Sequence, residues 1–100
     1  MEIPLEKMHK HVNGATRLLK SMANESRLMI LCQLAQEELS VTDLGKRLPL
    51  SQSALSQHLS ILRREGLVKT RREAQYIWYS LDSDEVVTLI QTLCELFDEK

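Results

Sequence analysis

Residues 48–72 read LPLSQSALSQHLSILRREGLVKTRR, and the period of their apolar side chains decides the fold. Leu55, Leu59 and Leu62 recur at intervals of four and three, which places them on one face of a helix running from Gln52 to about Glu65. Gln52, Ser53, Ser56, Gln57, Ser60 and Arg63 point elsewhere. Ser51 is the N-cap and Gly66 the stop. Beyond the glycine come Leu67, Val68, Lys69, Thr70 and Arg71, then the polar Arg72, Glu73, Ala74 and Gln75, then Tyr76 through Leu81. Two β-prone runs around a polar turn predict a hairpin.

Upstream, Ser40 with Asp43 three residues later forms a capping box for a short helix through Val41, Leu44 and Leu48, which Pro49 closes. Asn24 caps a helix whose Leu28, Met29, Ile30, Leu31, Cys32, Leu34 and Ala35 are apolar nearly all round, so it belongs at the centre of the core with Cys32 buried. Leu5, Met8, Val12, Ala15, Leu18, Leu19 and Met22 form one apolar stripe on a first helix. Downstream, Asp82 with Glu85 predicts a second capping box, and Val86, Leu89, Ile90, Leu93, Leu96 and Phe97 repeat at helical spacing to the C-terminus. The predicted class is therefore mainly α with a β-hairpin, in the order α-α-α-α-β-β-α. Two helices joined by the tight Leu48–Ser51 segment and followed by a basic hairpin spell a winged helix-turn-helix. The helix-turn-helix covers about residues 41–65 and the wing about 67–81. Apolar helices at about 5–22 and 83–98 need a cover, and a second copy of the chain is the economical one.

The 100 residues suffice for one domain and no linker-like stretch divides them. The formal net charge of −1 conceals a segregation: residues 1–45 carry −1, residues 46–81 carry +5 and residues 82–100 carry −5. One surface, not the whole molecule, is thus suited to a polyanion. No apolar run approaches a membrane span or a signal peptide, so the expected location is cytoplasmic, with no membrane partner. Two cysteines are too few for a disulfide scaffold.

The exposed face of the fourth helix carries the groups that read DNA. Gln52 and Gln57 each present an amide suited to adenine N6 and N7, the serines suit phosphates or base edges, and small Ala54 permits close approach. Lys46, Arg47, Arg63, Arg64, Lys69, Arg71 and Arg72 supply positive charge around it. An isolated polar helix with scattered basic residues is ordinarily plain solvated surface. Here the turn, the glycine stop and the basic hairpin coincide. An enzyme is disfavoured because no nucleophile has a base beside it in a concave site, His58 near Ser56 being on an exposed helix.

The succession LLKSMANESRLMILCQL, ELSVTDL, LSQSALSQHLSILRREGLV and TRREAQYIWYSL resembles the ArsR/SmtB family of winged-helix repressors over about residues 15–97, and within it the HlyU/BigR/SqrR-type subgroup. The resemblance implies a homodimer joined through its first and last helices and bound to a palindromic double-stranded DNA operator. It implies that Gln52, Ser53, Ser56, Gln57 and His58 occupy the reading helix, that Lys46 lies beside it, and that Arg71, Arg72 and Gln75 occupy the wing. His58 lies between Gln57 and Leu59, and either reaches DNA or packs internally.

The family's metal sites are not matched here. Where its third helix reads ELCVCDL, this chain has Glu38, Leu39, Ser40, Val41, Thr42, Asp43 and Leu44, and hydroxyls cannot replace the thiolate pair. At the last-helix site stand Ser83, Glu85, Leu96 and Glu99, without an imidazole, and the His9 and His11 pair lacks further ligands. No metal and no cofactor is expected. In the similar subgroup a thiol on the second helix links to one near the end of the last helix when oxidant or reactive sulfur is present. Cys32 matches the first position, while the second holds Asp98, with Cys94 one turn earlier. A shift of about 6 Å along the axis strains a direct disulfide but suits a sulfur-bridged link better. Two buried core thiols remain the plain alternative. The expected function is a DNA-binding transcriptional regulator, with Cys32 and Cys94 as the candidate residues for thiol control. The competing expectation is a winged-helix DNA-binding or protein-interaction module with no sensing role.

Overall fold

The computed structural model describes residues 2–98; Glu99, considered above as a ligand position, lies outside them. Helix α1 spans Leu5–Met22 and α2 spans Glu25–Gln36, followed by strand β1 (Leu39–Ser40), α3 (Val41–Arg47) and α4 (Gln52–Arg64). The wing is β2 (Val68–Glu73) with β3 (Tyr76–Leu81), and α5 spans Asp84–Leu96. The predicted order is present with one strand added. Leu39 pairs with Tyr79 and Ser40 with Trp78, so the sheet is antiparallel and three-stranded in the order β1-β3-β2. Two residues have no period, and only their partner strand identifies them.

Local capping chemistry explains most helix boundaries. Asn24 Oδ1 accepts from Arg27 N at 3.1 Å, and Ser51 Oγ accepts from Ala54 N at 3.1 Å. The Ser40–Asp43 capping box forms in both directions. The box expected at Asp82 and Glu85 does not form. Asp82 N–H donates to Leu67 O at 2.9 Å, so the sheet holds the chain one residue longer. Ser83 becomes the N-cap instead, accepting from Val86 N at 3.2 Å. At the end of α4, Gly66 takes φ +78°, Leu67 N–H donates to Leu62 O and Gly66 N–H to Arg63 O. This pair of bonds is a Schellman motif, which requires the left-handed conformation that glycine adopts freely. The wing turn is tighter than its polar run suggests. Arg72 and Glu73 belong to β2, opposite Ile77 and Tyr76, leaving Ala74 and Gln75 as the loop.

Ile30, Leu31, Leu39, Leu44, Leu55, Leu59, Leu62 and Val86 are the largest fully buried side chains. α2 lies at their centre, touching α1, α4, α5 and β3, and each such leucine contributes about 1.5–3 kcal/mol by leaving water. The two terminal helices are covered on one side only. α1 buries Ser21 and Met22 alone, and Leu5, Met8, Val12 and Leu19 are exposed. α5 buries Val86 and Ile90 and exposes Leu93 and Leu96, with Phe97 beyond its end 78% exposed.

This arrangement corrects the expectation of buried core thiols. Cys32 is only half-buried and Cys94 is exposed, both free. Cys94 continues the Val86–Ile90 stripe by one turn, but from Gln91 onward α5 has run past the core.

Candidate nucleic-acid interface

Burial of Leu55, Leu59 and Leu62 fixes the rotation of α4 about its axis. Gln52, Ser53, Ser56 and Gln57 are consequently exposed, and Ala54 is half-buried between them. Gln52 is the first helical residue, at the end that approaches bases when such a helix enters a major groove. His58, by contrast, is half-buried, with Nδ1 3.4 Å from Arg27 Nη1. Arg27 also donates from Nε to Ser21 O at 2.7 Å. One guanidinium thus joins α2, the end of α1 and the inner flank of α4, and of the two roles open to His58 the internal one has a partner here.

The basic residues divide into engaged and free. Arg71 Nε donates to both oxygens of Glu38 at 3.0 and 2.9 Å, and Nη2 donates to Glu38 Oε1 at 2.7 Å. Its Nη1 donates to Glu73, and the guanidinium carbon lies 5.4 Å from the Trp78 ring centroid. The hydrogen bonds from Arg71 hold the Glu38 carboxyl below its ordinary range, and those same carboxylates raise Arg71. Arg71 is thereby tied across the sheet to the residue that precedes β1. Arg47 is occupied too, donating to Gln33 at 3.3 Å and Glu37 at 3.0 Å. Lys46 on α3 and Arg72 on β2 are exposed, and among the described residues neither forms an ion pair; Gln75 is exposed at the wing tip.

A further pair links α1 to α4. Arg17 on α1 bonds through Nε and Nη2 to both oxygens of Glu65, the C-cap of α4, whose side chain is 10% exposed. Hydrogen bonding to Arg17 draws the Glu65 carboxyl down to about 2. Neither Glu65 nor Glu38 was found from sequence, because their partners stand 48 and 33 positions away. Opposite charge alone gives no signal at such a separation.

Cys32 and Cys94 lie on the packed helices α2 and α5. Partial burial raises the Cys32 thiol, and the charge of Cys94 raises it further. Among the described residues, no three His, Cys, Asp or Glu side chains gather as a metal site. No helix described is long and apolar enough to cross a membrane.

Comparison with known proteins gives consistent likenesses. Residues 24–70 match the family described as bacterial regulatory protein, arsR family. The chain is 57% identical to the transcriptional activator HlyU of Vibrio cholerae over 93 residues, covering 93% of this chain and 86% of that protein. It superposes on the crystal structure of the transcriptional repressor BigR from Xylella fastidiosa with a TM-score of 0.92 and 35% identity, over 98% of this chain and 100% of the other. A homodimeric winged helix-turn-helix DNA-binding domain from Mycobacterium bovis is similar at a TM-score of 0.79 and 29% identity, over 93% and 86%.

Proposed function

The chain belongs to the ArsR family of bacterial regulatory proteins, and from that premise we propose that it binds a palindromic DNA operator as a homodimer and controls transcription there, in the cytoplasm. The observation that carries this reading is the rotation of α4. Its leucines are buried, which leaves Gln52, Ser53, Ser56 and Gln57 free to meet base edges and phosphates. Lys46, Arg72 and Gln75 approach the backbone beside them. Arg71 acts indirectly, holding the wing against Glu38, and His58 braces α4 against Arg27. A second copy covers α1 and α5 and sets the two reading helices one duplex turn apart, about 34–36 Å. The homodimeric relative supports this assembly. Fluorescence anisotropy with the DNA upstream of its own gene tests the assignment. Gln52→Ala is expected to cost about 1–3 kcal/mol there and much less on random duplex; equal losses on both would remove Gln52 as a base reader.

A finer reading, thiol control, is favoured by one observation: Cys32 and Cys94 are both free and stand on α2 and α5, which pack against each other. Oxidation would join the two sulfurs with loss of two protons and two electrons to the oxidant; with an organic persulfide, one molecule would pass its outer sulfur to a cysteine and leave as thiol, and a second would take up the two electrons and two protons as thiol and hydrogen sulfide while the trisulfide closes. Either link would clamp α2 to α5 and alter the spacing of the reading helices. Treatment with an organic persulfide is expected to weaken operator binding, and Cys32→Ser to abolish that response. Binding indifferent to treatment leaves a regulator without this sensor.

A further inference from the structure

Between α4 and the wing runs a cleft of about 380 Å³. Its polar lining includes Thr42 at the start of α3, Ser56 and Ser60 on α4, and Gln75 and Tyr76 at the wing tip, beside the capping Ser40 and Tyr79 of β3, with no lysine or arginine among the lining residues. We propose that this cleft seats one sugar–phosphate strand of DNA through uncharged donors, a site that includes Thr42, Ser60 and Tyr76. The inference rests on the duplex-binding reading above and adds the path of the backbone.

Geometry and bonding both support it. A major groove is bordered on each side by a backbone strand. If α4 lies in that groove and the wing projects beside it, the bordering strand must pass between them, through this cleft. Ser56 and Ser60 are four residues apart, so they share one face of α4 about 6 Å apart along its axis. Their hydroxyls are uncommitted. Ser21, Thr88 and Thr92 each donate to the carbonyl four residues back at 2.8–3.0 Å, whereas among the described residues Thr42, Ser56, Ser60, Gln75 and Tyr76 make no side-chain hydrogen bond. A hydroxyl or amide donating to a phosphate oxygen forms a charge-assisted bond. It neutralises no phosphate, so it strengthens binding without releasing counterions.

That difference gives the test. The triple variant Thr42→Val, Ser60→Ala, Tyr76→Phe and the single variant Arg72→Ala are titrated by fluorescence anisotropy across a salt series. Both the upstream duplex and a random duplex are used, with melting temperatures checked for intact folding. The triple variant is expected to bind both duplexes at least about tenfold more weakly, with the salt slope unchanged. Arg72→Ala is expected to lower the slope by about 0.9. Restoring the hydroxyl with Thr42→Ser in the triple background should recover part of the loss. Wild-type affinity in the triple variant overturns the proposal, as does a loss confined to the upstream duplex, which would make these residues base readers. Absence of salt-dependent duplex binding by the wild-type protein would instead remove the underlying reading, and the cleft with it.

Discussion

Ala74 is a non-glycine residue at φ +56°, in the two-residue loop of the wing. The left-handed conformation costs an L-residue roughly 1–2 kcal/mol, and glycine would avoid it while losing about 0.5–1 kcal/mol through its freer unfolded chain. Ala74→Gly is therefore expected to stabilise the fold by about 0.5 kcal/mol, read as a melting temperature raised by a few degrees. The two neighbouring wing arginines should behave differently. Arg71→Ala is expected to lower the melting temperature and weaken binding to every duplex, because it frees β2 from Glu38 and uncovers Trp78. Arg71→Lys should not rescue it, since an ammonium lacks the planar fork and the stacking face. Arg72→Ala should leave melting unchanged. Melting curves of the three variants beside duplex titrations check this division. At this scale the sequence showed which residues carry amides and charges, and the α4 period correctly turned Gln52 and Gln57 outward. It did not show that Arg71 is committed to Glu38, because that pairing depends on β1 and β2 flanking the same central strand.

Helix periods were legible because the core faces of α1, α2, α4 and α5 carry leucine, isoleucine, valine or methionine at three- and four-residue spacings, and caps such as Asn24, Ser40 and Ser51 are local chemistry. β1 and the Ser83 cap were not legible, since each follows from a hydrogen bond to a distant strand. The contact between α1 and α4 belongs to the same class and makes a pH-dependent prediction. Glu65 has an ordinary carboxyl pKa of 4.5 and is held at about 2 in the folded protein by Arg17. The unfolded chain therefore binds the extra proton between those values, so stability rises with pH across that window. The contribution is full above about pH 5 and is lost as acid titrates the folded carboxyl. Glu65→Gln is expected to melt at lower temperature than the wild type at pH 7, with the difference closing as pH approaches 2. A melting series from pH 7 to 2 reads it directly; a constant difference would assign the loss to packing at the end of α4.

As a whole molecule, the single chain extends 49 × 35 × 21 Å and leaves apolar stripes of α1 and α5 in water. Exposed contiguous apolar surface of this kind marks an interface, and in the proposed homodimer a second copy would cover both stripes at once. The wild-type chain is expected to elute at twice its chain mass in size-exclusion chromatography with light scattering. Leu19→Glu with Leu93→Glu should yield a folded monomer whose operator affinity falls by at least about a hundredfold, because one reading helix alone meets one half-site. A variant that stays dimeric would move the interface elsewhere.

The sequence by itself determined the helices, the turn at Pro49, the hairpin and the exposed polar face of α4, because each is set by side chains within a few turns of one another. Tertiary structure alone decided which charges are free. Among the described residues Lys46 and Arg72 form no ion pair, while Arg17, Arg47 and Arg71 are held by carboxylates 10 to 48 positions away. It also decided that Cys94 lies outside the core, because where α5 leaves the body depends on the length of the elements packed beneath it. Such pairings arise from the meeting of separate surfaces, and no local period records them.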